Sequence, residues 1–306
     1  MKKLLFILML IPLMALGQKK AIDLSYKFKQ GNTLEVKQET VQVVSQNLMG
    51  MTQETTNEIS GVMKYKVVEV NGKDARIEAS FLSLKSKVSS PMANVLMDSE
   101  GDQQIRENKV MKSLTGTNFY FTLSSAGLVS NIEDAEKLME GLDQLGLDAA
   151  SLAAMKQSLQ QQYTGQGLKG SLEGGLVQYS SNKVKPKDKW QNDLAAGMNF
   201  PLLTKNTWTL ERISGKGAWV NAKGDIITTD KNKTFDLQMG MKGKSDLSGF
   251  NEVQGNISLN DGWPIELKMK SQVNGNLTIL AGGMLPEDMG IPMEIKTESV
   301  FTFTRM

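Results

Sequence analysis

The acid–base and nucleophilic chemistry open to this chain is narrow, because its 306 residues include no histidine and no cysteine. Nucleophiles activated by histidine, and metal sites built on histidine or cysteine, are therefore excluded. Carboxylate pairs remain, and the nearest in sequence are Asp98 with Glu100 and Asp261 with Glu266. Two facing carboxylates could hydrolyse a glycan or bind Ca²⁺. Exposed turn residues explain them more simply, and we predict no catalytic residue, no metal and no cofactor.

Two short motifs imitate known sites without the context that those sites require. "GQGLKG" at 165–170 matches G-x-G-x-x-G, but a dinucleotide site needs that loop between a strand and a helix. Ser180 and Lys183 match S-x-x-K, but the S-D-N and K-T-G motifs of penicillin-binding enzymes are missing. Both matches are typical of chance in a Gly- and Lys-rich segment. We therefore expect a protein that is not an enzyme.

A block with helical spacing lies in the middle of the chain. Ser130 and Glu133 form an S-x-x-E capping box that predicts a helix over 131–145, and Asp148 predicts a second helix over 148–163. Each apolar helix face needs an apolar surface to lie on, and the predicted sheet is that surface. The predicted ligand-binding residues are flexible or aromatic side chains of these helices and of the strand before them: Phe119, Phe121, Leu138, Met139, Leu142, Met155 and Leu159. Folding alone would also explain them, since burying one large apolar side chain contributes about 1.5–3 kcal/mol.

Alternating apolar and polar residues predict antiparallel strands on both sides of the helical block. In "ARIEASF", residues 75–81, the apolar side chains share one face and the polar ones share the other. Turns are predicted at Asn71-Gly72, Gly224, Asp261-Gly262 and Asn274-Gly275. The predicted fold is α+β and mainly β, with curved antiparallel sheets that are half-barrel-like and the helical pair packed on the sheet.

The first residues are typical of a secretory signal peptide. A basic start precedes an apolar run that is shorter than a bilayer span of about 20 residues, and Gly17 and Gln18 flank the predicted cleavage site. We expect a periplasmic or secreted mature chain with no transmembrane segment. The predicted organisation is a signal peptide at 1–17, a β-rich half at 18–130, a helical insertion and linker at 131–180, and a β-rich half at 181–306, the two halves forming one domain.

The charges of the chain point to no charged partner. The sequence holds 35 basic and 33 acidic side chains, and removing Lys2 and Lys3 with the signal peptide balances them. A balanced chain gives no electrostatic case for nucleic acid or an anionic membrane surface. The predicted partner is a lipid or another hydrophobic small molecule, with an envelope protein as the alternative.

Several stretches carry a family resemblance: "YKFKQGNTLEV" at 26–36, "MDSEG" at 97–101, "LTGTNFYFTLSSAGLV" at 114–129, and "VKPKDKW" followed by "ERISGKGAWVNAKGDI". Together with the signal peptide, they resemble a secreted Bacteroidota family of unknown function. The chain departs from it at Lys187, where the family tends to have a glycine before the Asp and Trp. The resemblance covers nearly all of the mature chain, implies an envelope protein and supplies no catalytic residues.

The order of the elements is similar to that of periplasmic half-barrel carriers of lipoproteins, where lipid chains bind between a curved sheet and helices. This similarity implies a non-enzymatic binding or carrier protein for a hydrophobic ligand, a lipid or an acyl chain. It predicts a cavity between the helices and the sheet, lined by Leu, Met, Phe and Ile without charges. The alternatives are a structural or protein-interaction module of the cell envelope and, through carboxylates, a glycan hydrolase.

Overall fold

The described part of the chain forms one antiparallel sheet with a layer of helices. The structure, a computed structural model, describes residues 21–48, 50–195, 200–237, 241–282 and 285–306. The predicted signal-peptide cleavage between Gly17 and Gln18 lies outside these residues. Strands account for 57% and helices for 16% of the described residues, which confirms the mainly-β prediction.

Thirteen strands within the described ranges make up the sheet. They are β1 (Thr33–Leu48), β2 (Met51–Asn71), β3 (Asp74–Ser89), β4 (Asn94–Asp98), β5 (Asn118–Ser124), β6 (Val129–Glu133), β7 (Lys189–Ala195), β8 (Leu202–Ser214), β9 (Gly217–Thr228), β10 (Phe235–Asp236), β11 (Lys242–Ser258), β12 (Pro264–Ile279) and β13 (Met289–Arg305). Their order across the sheet is β6, β5, β3, β2, β1, β13, β12, β11, β9, β8 and β7, with β4 beside β3 and β10 beside β11. β1 pairs with β13, so strands from both sides of the helical block share one sheet. This open, curled sheet fits the predicted half-barrel-like shape.

Period-two alternation places the side chains on the two faces of the sheet. In β5, Phe119, Phe121 and Leu123 are buried on the inner, concave face, while the residues between them are more exposed. The hairpin predicted at Asn71-Gly72 is confirmed: β2 ends at Asn71, and Gly72 has a positive φ of 64°. Positive φ at this position matches the twist of the two strands.

The other predicted turns had different outcomes. Asp261-Gly262 does turn the chain between β11 and β12, with φ of 76° at Gly262. The turns predicted at Gly224 and at Asn274-Gly275 are wrong, because both glycines lie inside strands, β9 and β12. A Cβ atom at Gly224 would overlap the side-chain oxygen of Asn206, and one at Gly275 would overlap a β11 carbonyl. These glycines therefore permit close approaches between strands rather than turns.

Four helical segments occur among the described residues: α1 (Arg106–Ser113), the 3₁₀ helix η1 (Ala135–Leu145), α2 (Ala149–Tyr163) and α3 (Gly165–Gly174). The second predicted helix is confirmed as α2, whose N-cap Asp148 accepts a hydrogen bond from the Ser151 N–H at 2.9 Å. The capping box at Ser130 and Glu133 is wrong, because both residues belong to β6 and pair with β5. Ladder pairing with a neighbouring strand outweighs a local cap here, and helix η1 begins only after Asp134.

Two separate apolar clusters lie along the inner face. The larger cluster joins the sheet to α1, η1, α3 and the N-terminal residues Leu24 and Tyr26. The smaller cluster, which includes Leu247, Val273 and Ile295, lies further along the long strands β8, β9, β11, β12 and β13. The inner face is therefore apolar at both ends of these strands.

Candidate functional site

The structure gathers the predicted ligand-binding residues into the larger apolar cluster. Phe119 and Phe121 on β5 and Leu138 and Leu142 on η1 are 0% exposed, and Met139 is 3% exposed. Met155 and Leu159 of α2 are partly buried and pack against the same cluster. These side chains fill the interface between the helices and the sheet.

Helix η1 has an unusual geometry for the element that covers the sheet. It runs for 11 residues as a 3₁₀ helix, although 3₁₀ runs beyond about 3–4 residues are uncommon because their hydrogen bonds are poorly aligned. The residues at both ends, Asp134 with φ of 63° and Gly146 with φ of 66°, adopt the left-handed conformation. For a non-glycine residue such as Asp134, this conformation is strained. Helix η1 thus lies between two residues in the left-handed conformation, of which only Asp134 adopts it against its preference.

The helices η1 and α2 differ in how they contact the sheet. Helix η1 lies on β5 and also contacts α1 and α2, and a Cβ at Gly141 would overlap the carbonyl oxygen of Ser113. Helix α2 rests on η1 and α3, and its last residue, Tyr163, packs edge-on against Phe81 of β3 at 5.6 Å between ring centroids. Burial raises the pKa of Tyr163 to about 12, so this hydroxyl is neutral at ordinary pH. The buried contact of α2 with the sheet is thus at its last residue, while Met155 and Leu159 are partly buried against the larger cluster.

The edges of the sheet are linked by the end of α3 and the chain that follows it. Near the end of α3, the buried carboxylate of Glu173 accepts a hydrogen bond from the Val129 N–H of edge strand β6 at 2.9 Å. Five residues later, the carbonyl oxygen of Gln178 accepts one from the Trp190 indole of edge strand β7 at 2.8 Å. Residues 173–178 therefore connect the two edge strands, β6 and β7.

Two clefts of the described chain lie away from the helix–sheet interface. One, of about 280 Å³, lies between α3 and β7 and includes Lys169, Glu173 and Asp193. The other, of about 420 Å³, lies on the outer face of the sheet and includes Trp219 and Arg305. Both contain charged residues, so neither has the uncharged apolar lining predicted for the ligand cavity.

Two of the four carboxylates considered for catalysis, Asp98 and Asp261, have structural partners. Asp98 accepts hydrogen bonds from the Glu100 N–H at 2.9 Å and forms an ion pair with Lys85 at 3.0 Å, and these contacts hold the pKa of Asp98 below its ordinary value. Asp261 forms a bidentate ion pair with Arg305, with both N···O distances at 2.7 Å. Each side chain thus stabilises a turn or joins distant parts of the chain.

The remaining motif matches also have structural explanations. "GQGLKG" at 165–170 lies within α3 rather than in a loop after a strand, and Ser180 and Lys183 lie outside any helix. Within the described residues, no group of three or more Asp, Glu, His or Cys side chains could hold a metal ion. None of the described helices is both long and apolar enough to cross a membrane.

A feature that sequence inspection missed crosses the middle of the inner face. Following the strand register from β7 to β2, each residue is paired with the next: Asn192, Asn206, Gly224, Asn251, Ser271, Thr297, Gln42 and Asn57. We call these eight positions the polar row. Its members come from distant parts of the chain, so only the register could reveal it, and each residue alone is a common strand or turn residue.

Fold and site together define a mainly-β protein in which one curled antiparallel sheet carries a helical layer on its concave face. Residues 72–264 match a family of unknown function, DUF6263, and the chain belongs to that family. The family of unknown function predicted from the sequence is thereby found, while secretion and a Bacteroidota origin stay predictions. The sequence matches no curated protein.

Solved structures give only distant likenesses. A lipovitellin structure described for its lipid–protein interactions is 11% identical, with a TM-score of 0.48 over 91% of this chain, which spans only 25% of the lipovitellin chain. The COG4313 outer membrane channel of Pseudomonas putida F1 is 8% identical, with a TM-score of 0.29 over 91% of this chain and 97% of the channel. A DUF1329 family protein of Desulfovibrio piger is 9% identical, with a TM-score of 0.14 over 88% of this chain and 83% of its own. Likenesses this distant assign no function.

Proposed function

We propose that this protein is a non-enzymatic binding or carrier protein for a hydrophobic ligand, a lipid or an acyl chain. The ligand lies between the sheet and the layer formed by η1 and α2. The observation that carries the proposal is η1 itself. It is a 3₁₀ helix of 11 residues with one apolar face, and the residues at both of its ends adopt the left-handed conformation. A 3₁₀ run of this length is uncommon, and non-glycine residues held in the left-handed conformation cluster at ligand sites and switch regions.

The chemistry of the interface supports a hydrophobic guest. Leu138, Met139 and Leu142 on η1 face an apolar cluster that includes Phe119 and Phe121. Leucine and especially methionine side chains can repack around an irregular apolar guest. These side chains fill the interface in this structure. A ligand therefore enters when η1 rotates away from the sheet about its two ends, Asp134 and Gly146, and α2 moves with it.

The weak attachment of α2 makes that movement accessible. Its ion pair with η1, between Lys156 and Asp143 at 2.6 Å, is partly exposed, and ion pairs open to solvent contribute only about 0–1 kcal/mol. Its side chains Leu152, Met155 and Leu159 are only partly buried. A signal peptide at the N terminus, as the sequence predicts, would place this carrier in the periplasm or outside the cell.

A matched pair of cysteine variants tests the opening of η1, because the native chain has no cysteine. Ala135→Cys lies in η1 and Ala222→Cys in β9, at alanines that are 3% and 1% exposed. In native buffer, we expect a thiol reagent to label Ala135→Cys at least about ten times faster, since local opening requires less free energy than global unfolding. The neutral probe N-phenyl-1-naphthylamine should bind and slow labelling of Ala135→Cys alone. Equal, slow labelling of both variants without probe binding would overturn the proposal.

Native mass spectrometry provides a second test on the purified protein. A carrier retains part of its ligand, so we expect an adduct of lipid mass that organic extraction removes. Probe binding should increase after extraction, because the emptied site becomes free. A protein that shows no adduct before extraction and binds no probe after it would contradict a carrier role.

An interaction module of the cell envelope is a second candidate, and one specific surface favours it. The hairpin of β3 and β4 exposes Met92 (86%), Val95 and Leu96, and among the described strands β4 pairs only with β3. Neighbouring exposed apolar side chains are common at protein interfaces. A photo-crosslinker at Met92 should then capture one dominant partner in cells, whereas the same group at the exposed residue Glu107 on α1 should not.

A further inference from the structure

The polar row lies between the two apolar clusters of the inner face. Along β13, Phe301 belongs to the larger cluster, Ser299 and Thr297 follow at inward positions, and Ile295 belongs to the smaller cluster. Along β1, Val36 lies in the larger cluster, and Gln38, Thr40 and Gln42 follow at inward positions. The inner face therefore changes from apolar to polar and back to apolar along each of these strands.

Apart from Gly224, the side chains of the polar row are amides and hydroxyls, and none is charged. The inward residues one step to either side, such as Thr40, Ser299 and Thr204, are also uncharged within the described strands. Charges lie on the opposite face of the same strands: Lys296 and Glu298 flank Thr297 in sequence. Glu298 pairs with Lys270 at 2.7 Å, and both of these side chains are 66% exposed. The absence of charge is thus specific to the inner face.

The side chains of the polar row have donors and acceptors that can form hydrogen bonds with a ligand. Asn57 donates to Gln42 at 3.3 Å and Gln42 donates to Thr297 at 3.5 Å, which are long for hydrogen bonds of about 2.9 Å. Each amide has two N–H donors and a carbonyl oxygen that accepts twice. Gln42, Asn57, Ser271 and Thr297 are half-buried, so a ligand can reach them from the concave side.

We propose that the inner face selects an uncharged amphiphile, whose neutral polar head is hydrogen-bonded by the polar row and whose apolar chain lies in the larger cluster. This inference rests on the proposed carrier function and names the chemical class of its ligand. A charged head would lose its hydration at the polar row without meeting an opposite charge, and such burial is strongly unfavourable. A neutral head of hydroxyls or amides exchanges hydrogen bonds with water for hydrogen bonds with Gln42, Asn57 and Thr297.

Ligands that share one chain and differ only in the head provide the test. Monolauroyl glycerol is neutral, and at pH 8 laurate is an anion and dodecylamine a cation. Each is titrated below its micelle concentration against protein loaded with N-phenyl-1-naphthylamine. We expect the glyceride to displace the probe with at least about ten-fold higher affinity than either charged ligand, a ratio that corresponds to roughly 1.4 kcal/mol. Equal affinities would overturn this inference and leave the carrier function intact, whereas no probe binding at all would contradict the carrier function itself.

Charge placed in the polar row should change the preference. Thr297→Lys should shift the preference toward laurate by about ten-fold, while Thr302→Lys, on the outer face of the same strand, should leave it unchanged. Gln42→Glu keeps the shape of the side chain and should favour dodecylamine, which tests the idea independently if Thr297→Lys folds poorly. Circular dichroism establishes that each variant is folded. Variants that fold and keep the wild-type preference would show that the head lies elsewhere.

Discussion

The side-chain oxygen of Asn206 lies against the backbone of Gly224, at the position where any other residue would carry its Cβ atom. The two residues are paired across β8 and β9. Asn251, paired with Gly224 on its other side, donates a hydrogen bond to the same oxygen at 3.2 Å. A glycine on the middle strand thus allows two buried asparagines on its neighbours to meet.

We expect Gly224→Ala to lower the free energy of unfolding by about 1–3 kcal/mol, because the methyl group displaces Asn206 and leaves buried amide groups unpaired. The loss should be much smaller when the same change is made in an Asn206→Ala background, giving a coupling energy of about 1–2 kcal/mol in a double-mutant cycle measured by urea unfolding. Gly290→Ala on β13 is the control, since its methyl group meets no atom of the described residues within 4 Å. Additive effects of the two changes would contradict this account.

Replacing a helical glycine with alanine should change the free energy of unfolding in opposite directions at Gly141 and Gly174. Gly141→Ala brings a methyl group onto the Ser113 carbonyl oxygen, and we expect the free energy of unfolding to fall by about 1–3 kcal/mol. The added methyl group of Gly174→Ala in α3 has no neighbour within 4 Å in the described part of the chain. This variant should raise the free energy of unfolding by about 0.4–1 kcal/mol, because alanine restricts the unfolded chain more than glycine does. Thermal and urea unfolding measure both changes. If Gly141→Ala left the free energy of unfolding unchanged, η1 and α1 would not be in close contact.

The buried carboxylate of Glu173 should be important for keeping the sheet edges linked. Glu173→Ala removes the acceptor of the Val129 N–H, and an unpaired buried donor costs about 1–3 kcal/mol. Glu173→Gln keeps a side-chain oxygen in place and should lower the stability less than Glu173→Ala does. Hydrogen exchange of the Val129 amide should accelerate in the alanine variant and remain slower in the glutamine variant. An exposed carboxylate, Glu140, provides the control, and Glu140→Ala should leave both quantities unchanged.

Acid should weaken the contact between Asp261 and Arg305. Burial acts to raise the pKa of Asp261, but hydrogen bonds from Arg305 and Ser258 and the charge of Arg305 outweigh it, so the pKa lies below its ordinary value. A lowered pKa in the folded state contributes stability above the unfolded pKa of about 3.9, and this stability is lost as pH falls through the folded pKa.

The variant Asp261→Asn separates this contribution from other acid effects. At pH 7, we expect the variant to be less stable by about 1 kcal/mol, a modest value because the pair is partly exposed to solvent. The difference from wild type should shrink below pH 4, as the wild-type carboxylate takes up its proton. Urea unfolding between pH 7 and pH 3 measures this, and a difference that stays constant with pH would contradict the assignment.

Local patterns in the sequence predicted much of this fold. Alternation in "ARIEASF" predicts a strand that the structure contains as part of β3, and Asn71-Gly72 predicts its hairpin. Asp148 predicts the start of α2, and it caps that helix. These predictions succeed because alternation, positive φ and side-chain capping involve neighbours in sequence. The capping box at Ser130 failed because pairing with β5, a tertiary contact, extended β6 over it.

The sequence by itself determined that the chain lacks histidine and cysteine chemistry, that it is rich in strands, and that an apolar helical block, with Leu138 and Leu142 on one face, interrupts them. Only the tertiary structure decided that η1 is a 3₁₀ helix and that Gly224 is a contact between strands. It also decided that Asn251, Thr297 and Gln42 form part of one row. The physical reason is that side-chain alternation fixes which face a residue occupies, whereas hydrogen-bond register between distant strands fixes which residues meet on that face.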